Sequence, residues 1–422
     1  MSESEAAAAP RMGGRFQARK QAILLSAIAA INRCGLRGMT LAEVAASLDL
    51  VPTGVIYYFR NKEELAAACY LRGIGRVNAL LETAAEASDA AGRIGALLCG
   101  FVDLKRAQAL GEAEPLVDFG DLGQLGSSRV SDAYTDMFRK ARGLLDGPET
   151  AGLSRLERNA RAHLLISQAC RSERWLRRSE PEAYPRAAAR MCDIAVRGLA
   201  ASGRAWAPTP LPPLSQEPAS PTSGVCRADF LRAAAELINE QGYLGASVEK
   251  ISARLKVTKG AFYHHNETKD DLLVACFEQT LQVIRTALRS AEERCDSALD
   301  RLASAACALA AHQLSGQAPL LNASALASAP DAVRTELAGR FERLCDRFAD
   351  LISDGVADGS VRPVDAGIGA QMIIAMINSV AELPIWAPGA VPQSAAGLYV
   401  RPLFEGLFAQ PEPVWRAAPG QP

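Results

Sequence analysis

Residues 51–65 read VPTGVIYYFRNKEEL, and residues 258–272 read TKGAFYHHNETKDDL. Each stretch joins a cluster of aromatic or imidazole side chains to a polar residue, a lysine and two acids. Asn61 precedes Glu64 by three positions, and Thr268 stands in the same relation to Asp271. A side-chain oxygen there can accept from the free N–H groups of a helix start, so both stretches predict a short helix handing over to a longer one. Corresponding positions lie 207 residues apart, which raises the question of a repeat.

Sliding the chain along itself by 207 without gaps answers it. Between residues 23 and 69, Leu24, Ala27, Ile31, Asn32, Gly35, Gly38, Ala46, Leu48, Lys62, Leu65, Ala68 and Cys69 fall on Leu231, Ala234, Ile238, Asn239, Gly242, Gly245, Ala253, Leu255, Lys269, Leu272, Ala275 and Cys276. Thr40 meets Ser247, Val44 meets Ile251 and Leu50 meets Val257. The chain reads as a duplicated unit of about 200 residues. In this register Ile56 pairs with Tyr263. A one-residue slip instead pairs Gly54 with Gly260 and Tyr57 with Tyr263, but the flanking residues hold the 207 offset.

A chain of 422 residues exceeds one core and suggests two to three domains. With 49% apolar, 22% charged and 6% aromatic residues, it reads as a helical globular protein, neither disordered nor fibrous. Between the copies, Trp206 to Gly224 (WAPTPLPPLSQEPASPTSG) holds six prolines and no helical periodicity. This reads as a linker reaching on the order of 60 Å if extended, enough to let the copies pack side by side. The start, MSESEAAAAPRMGG, lacks the basic-then-apolar order of a signal peptide. The longest apolar stretch, Ile368 to Ile385, is interrupted by Gln371, Asn378 and Glu382, as in a packed helix. A cytoplasmic protein without membrane contact is expected.

Enzyme chemistry has little to stand on. There are four histidines and no Ser/His/Asp order, phosphate loop or metal motif. His163 and His312 read as isolated, and the adjacent His264 and His265 point to different sides of a helix without acids or thiols at ligand spacing. The ten cysteines are scattered from Cys34 to Cys345 without a CxxC pair and read as reduced, packed thiols. Neither metal nor cofactor is implied. The net charge of −1 decides nothing, because a whole-chain sum hides local faces.

Both copies share one local grammar. Ile23, Leu24, Ala27, Ile28 and Ile31 recur at helical spacing, and Gly35, like Gly242, ends that helix. Thr40 and Glu43 form an expected capping box, while the second copy has Ser247 as cap with Lys250 in the acid's place. Leu41, Val44, Ala45 and Leu48 make one stripe of a short helix, repeated as Val248, Ile251, Ser252 and Leu255. A tight turn follows, Asp49-Leu50-Val51 or Lys256-Val257-Thr258, then a third helix of about two turns. Two short helices joined by a three-residue turn, with a small residue (Ala45, Ser252) where they approach, are a helix-turn-helix.

This order, ending in an aromatic cluster ahead of Asn/Thr-Lys-acid, resembles the DNA-binding domain of the tetracycline-repressor (TetR) family. The resemblance implies an all-α fold of two tandem units. Each has a three-helix DNA-binding head and a helical ligand and dimerisation body, and the two pack as an intramolecular pseudo-dimer. The expected boundaries are a flexible basic arm at 1–15, heads at 16–68 and 225–275, bodies at 69–205 and 276–410, a linker at 206–224 and a tail at 411–422.

By the same resemblance, Thr40, Tyr57, Tyr58 and Lys62 hold phosphates in the first head, as do Ser247, Tyr263, His264, His265 and Lys269 in the second. Bases are met by Pro52, Thr53 and Gly54, and by Thr258, Lys259 and Gly260, with Lys259 the best placed to read a guanine. Hydroxyl donors and a lysine at a helix N-terminus suit phosphate oxygens. The implied partners are a double-stranded operator and a small-molecule effector, with further homodimerisation left open.

This chain departs from the family in its turn, where Asp49 and Lys256 replace glycine and strain is expected. Asn266 replaces the apolar Phe59. From Arg11 to Lys62 eight Lys/Arg face two Asp/Glu, against seven and five from Val225 to Lys269, so the first head is expected to bind phosphate more strongly. Arg11, Arg15, Arg19 and Lys20 form a basic run that either follows the DNA backbone or stays solvated. In the bodies, Met372, Met376 and Trp386, with Phe404 and Phe408, are candidates to line an effector pocket, although the same spacing serves an ordinary core. A second reading, an adaptor or ligand-binding protein with a degenerate second head, stays open.

Overall fold

The computed structural model describes residues 9–214, 226–260, 268–316, 319–321 and 331–410. The first repeat runs α1 (Ala9–Gly38), α2 (Leu41–Ala46), α3 (Pro52–Ile56), α4 (Lys62–Ala85), α5 (Ala90–Ala109), α6 (Ser128–Gly143), α7 (Arg155–Arg171), α8 (Glu173–Leu176) and α9 (Tyr184–Arg197). The second runs α10 (Arg227–Gly245), α11 (Val248–Arg254), α12 (Lys269–Arg294), α13 (Ala298–Ser315), α14 (Asp331–Ala357), α15 (Ala366–Ser379), α16 (Leu383–Trp386) and α17 (Arg401–Glu405). Among the described residues no β-strand occurs, and a lone antiparallel bridge joins Ala200 to Val361.

Several residues shared by the copies make the same contact twice. Asn32 donates to the Leu116 carbonyl (2.8 Å) and Asn239 to the Leu320 carbonyl (2.9 Å), tying each first helix to a loop of its own body. The Cys69 thiol leans on the Leu24 carbonyl and the Cys276 thiol on that of Leu231. Gly35 (φ 75°, ψ 169°) and Gly242 (φ 69°, ψ 169°) break α1 and α10 at equivalent points. A side chain resists that backbone, so glycine is required at both.

Four expectations change. The helix α1 starts at Ala9, so the later part of the 1–15 arm is helical, not flexible. Thr40 caps α2 by accepting from the Glu43 N–H (3.1 Å), but Glu43 turns to Arg33 and the capping box stays open. The first nine linker residues lie against the second repeat. There Trp206 packs on Phe404 (centroids 5.6 Å) and Thr209 N–H donates to Ser304 Oγ (2.9 Å). Residues 215–224 and the tail lie outside the described residues. The thiols of Cys99 and Cys192 are not merely scattered: their sulfurs sit 3.8 Å apart, and that hydrogen bond lowers the Cys99 pKa below the ordinary thiol range.

The expected head–body boundaries fall inside α4 and α12, which run unbroken from Lys62 to Ala85 and from Lys269 to Arg294. Head and body therefore share a rod. The loop after α5 adds a second tie, since Asp121 Oδ2 accepts from Leu36 N–H (2.7 Å) at the Gly35 break.

The late helices of the two repeats pack on each other, α7 and α9 against α15 and α9 against α17. His163, read as isolated, lies in this joint: Tyr399 Oη sits 2.9 Å from its Nδ1 and 2.8 Å from Ser379 Oγ. Backbone groups also pair across the joint. Leu199 and Ala200 N–H both donate to the Phe404 carbonyl (2.8 Å each), Leu407 N–H to that of Ala195 (2.9 Å) and Arg362 N–H to that of Leu199 (3.0 Å). The stretch Ala366–Trp386 is long and apolar enough to cross a membrane, yet 61% of its apolar window is buried inside the protein.

Where the helices of each helix-turn-helix meet, Ala45 (0% exposed) and Ser252 (3%) supply the small side chains. The Ser252 hydroxyl is buried with no hydrogen-bond partner. Leaving such a group unmatched costs on the order of 1 kcal/mol or more, so Ser252→Ala should raise stability by about 1 kcal/mol. A urea midpoint no higher than the parent's would show that the hydroxyl is matched in solution.

Candidate nucleic-acid interface

Each head turns its short helices through a left-handed residue. Asp49 (φ 55°) and Lys256 (φ 57°) are the non-glycine residues of positive φ among those described, and they stand 207 apart. The conformation costs an L-residue roughly 1–2 kcal/mol, less for Asp, which places the expected strain at the expected positions. The helical chain then restarts at Pro52 and at Lys259, again 207 apart. The register between Ile56 and Tyr263 is decided further along, outside the described residues.

In the first head, Val55 (0%) and Phe59 (3%) point inward, one helical turn apart. That leaves Pro52, Thr53, Ile56 (45%) and Tyr57 (75%) facing solvent, with Gly54 partly covered. Tyr58 lies half-buried under Phe16 of α1 (4.8 Å) and meets Tyr57 edge-on (5.2 Å). The tyrosines thus form a braced ridge with Tyr57 outermost. Lys62 donates to the Arg37 carbonyl (2.9 Å) at the end of α1, and partial burial lowers its pKa. Arg15, Arg19 and Arg60 make no side-chain hydrogen bond or ion pair among the described residues. They leave uncommitted positive charge around α3.

The second head is more self-satisfied. Ser247 caps α11 by accepting from Lys250 N–H (3.3 Å), and Lys250 donates to Gln241 (2.8 Å) and to the Gly245 carbonyl (2.7 Å). Arg254 binds Glu236 (3.2 Å) and Glu240 (2.8 Å). Lys259 pairs with Glu249, whose carboxyl it holds down at about 2. Lys269 sits 4.0 Å over the Tyr243 ring. Thr258 and Gly260 are exposed. Tyr263, His264, His265 and Asn266 lie outside the described residues.

The heads also touch each other. Helix α1 packs on α10, Arg37 donates to Gln241 Oε1 (3.1 Å), and Gln124 reaches the Glu240 carbonyl. The brace from Phe16 and the Glu249–Lys259 pair were not evident from the sequence. Both are contacts through space between separate helices, with no fixed spacing to announce them.

The expected pocket residues sit in packed surroundings. Met372 and Met376 are fully buried, Phe404 is buried, and Trp386 stacks on Phe138 of the other repeat (4.3 Å). Two cavities among the described residues, one against the first head and one between the repeats, are bordered by none of these candidates.

The profile of bacterial regulatory proteins of the tetR family matches residues 23–69 and 230–276, two windows 207 apart. The tetracyclin repressor-like C-terminal domain profile matches residues 295–382. The HTH-type transcriptional repressor DhaR of Mycobacterium sp. (strain GP1) is 31% identical over 141 residues, 32% of this chain and 70% of that protein. The Transposon Tn10 TetC protein of Escherichia coli is 50% identical over 48 residues, 11% of this chain and 24% of that protein. Among solved structures, apo AibR is 22% identical, covering 40% of this chain and 94% of its own, at a TM-score of 0.35.

Proposed function

Because the chain belongs to the tetR family of bacterial regulatory proteins, we propose that it is a ligand-responsive transcriptional repressor whose two unlike heads read one imperfectly palindromic operator. Members of such families bind as pairs across major grooves about 34–36 Å apart. Here the pair is contained in one chain, and the observation that carries the reading is the doubled helix restart at Pro52 and Lys259 on bodies joined through their late helices. The protein acts in the cytoplasm, without a cofactor and without catalysis.

In this reading Thr40, Tyr57, Tyr58 and Lys62 grip phosphates while Pro52, Thr53 and Gly54 meet bases. In the second head Ser247, Tyr263, His264, His265 and Lys269 grip phosphates, and Thr258, Lys259 and Gly260 meet bases. Lys259 must leave Glu249 to reach a guanine, which makes the second half-site the weaker.

Selection of bound genomic fragments followed by footprinting should give two unequal half-sites. Glu249→Gln should strengthen protection of the weaker one by releasing Lys259. Protection of a single half-site, indifferent to changes in the second head, would favour the adaptor reading with a degenerate head.

A further inference from the structure

The junction between the short helix after each penultimate helix and the body of the opposite repeat occurs twice in the chain. At one, Trp386 of α16 stacks on Phe138 of α6 at 4.3 Å and meets Tyr134 at 5.2 Å, so aromatic rings fill the space. At the other, Trp175 of α8 and Phe341 of α14 border a cavity of about 220 Å³.

The open junction is polarised. Its rim carries four arginines, Arg171, Arg174, Arg178 and Arg334, against one acid, Glu342. Arg178 is spent on Glu342 (2.9 Å) and Arg171 on Glu382 (3.2 Å). Arg174 makes no hydrogen bond or ion pair among the described residues. The Asn378 side chain, only 9% exposed, borders the cavity and makes no hydrogen bond to the described residues. An amide open to the cleft can donate to a carboxylate oxygen, and an uncommitted guanidinium suits a planar carboxylate. The apolar wall comes from Trp175 and Ile374.

We propose that this cleft binds a small organic anion with a short or flat apolar body. Its carboxylate meets Arg174 and the Asn378 amide, and its body lies against Trp175 and Phe341. The filled partner junction offers no second copy of the site, so one equivalent binds per chain. The cleft takes its walls from α8 of one repeat and from α14 and α15 of the other, so occupancy acts on the joint between them. That consequence rests on the regulator reading; the binding itself does not.

Calorimetry of the full chain with 2-naphthoate, and with the uncharged 2-naphthamide as control, tests it. One equivalent of naphthoate should bind, and Arg174→Gln should weaken it at least about tenfold while changing naphthamide little. Ala338→Phe, at a half-buried rim position, should abolish both with an unchanged thermal melt. No saturable binding of naphthoate to the folded protein overturns the proposal, as does naphthoate binding by both variants as tight as the parent's. Operator affinity measured with and without naphthoate separates the two readings. A chain that takes naphthoate but ignores DNA keeps the site and loses the regulator.

Discussion

Gly198→Ala should destabilise the protein by on the order of 3–5 kcal/mol, the largest effect expected of any single added methyl. Gly198 ends α9 at φ 72°, and a Cβ there would lie 2.2 Å from the Phe404 carbonyl oxygen and 2.5 Å from Gly406 N. Both are backbone atoms and cannot swing aside. They belong to the hydrogen-bonded crossing in which Leu199 and Ala200 donate to Phe404 and Leu407 donates to Ala195. Gly203 serves as control: its φ is 80°, yet nothing lies within 4 Å of a Cβ. Gly203→Ala should therefore cost only the backbone term, about 1–2 kcal/mol. Urea midpoints of the two variants compare them directly, and equal losses would mean that the crossing does not hold the repeats together.

The second large effect concerns DNA. Lys62→Ala should weaken binding to a ~30 bp operator by roughly 10-fold or more and make the salt dependence of log K shallower by about 0.9, the change expected when one fewer phosphate is neutralised. Tyr57→Phe should weaken binding as well, but a neutral phenol displaces no counterion, so its salt slope should match the parent's. Both changes should act alike on strong and weak operator sequences, because phosphates carry no base identity. Titrations at several salt concentrations supply both numbers. Unchanged affinity in both variants would remove these residues from the interface. Lys62 first has to exchange the Arg37 carbonyl for a phosphate, which tempers its loss relative to a free lysine.

The division between what the sequence revealed and what it did not follows the range of the contacts. The heads were legible because their determinants are local and doubled. Gly35 with Gly242, Asp49 with Lys256 and Asn32 with Asn239 recur at one offset and do the same thing twice. The joint was not. Its Gly-Leu pairs, Gly198-Leu199 and Gly406-Leu407, stand 208 apart, beyond the 47-residue window that carries the register. Met372 and Met376 showed a helical period that a buried core helix produces equally well, and core is what they form. Glu43 had the right spacing for a capping box, but Arg33 of α1 offered a stronger partner than a backbone N–H. Local pattern cannot rank a neighbour it does not see.

The crossing between α9 and α17 has a consequence for how the protein meets its target at low copy number. Two separate subunits come apart on dilution, and their occupancy of a paired site falls with the square of the protein present. Here the halves are tethered and interlocked, so each stays at the other's side however few molecules a cell holds. If the two heads read one operator as proposed and the chain does not pair again, occupancy rises as a simple hyperbola, and either reading surface can drift in sequence without requiring a matching change in a twin.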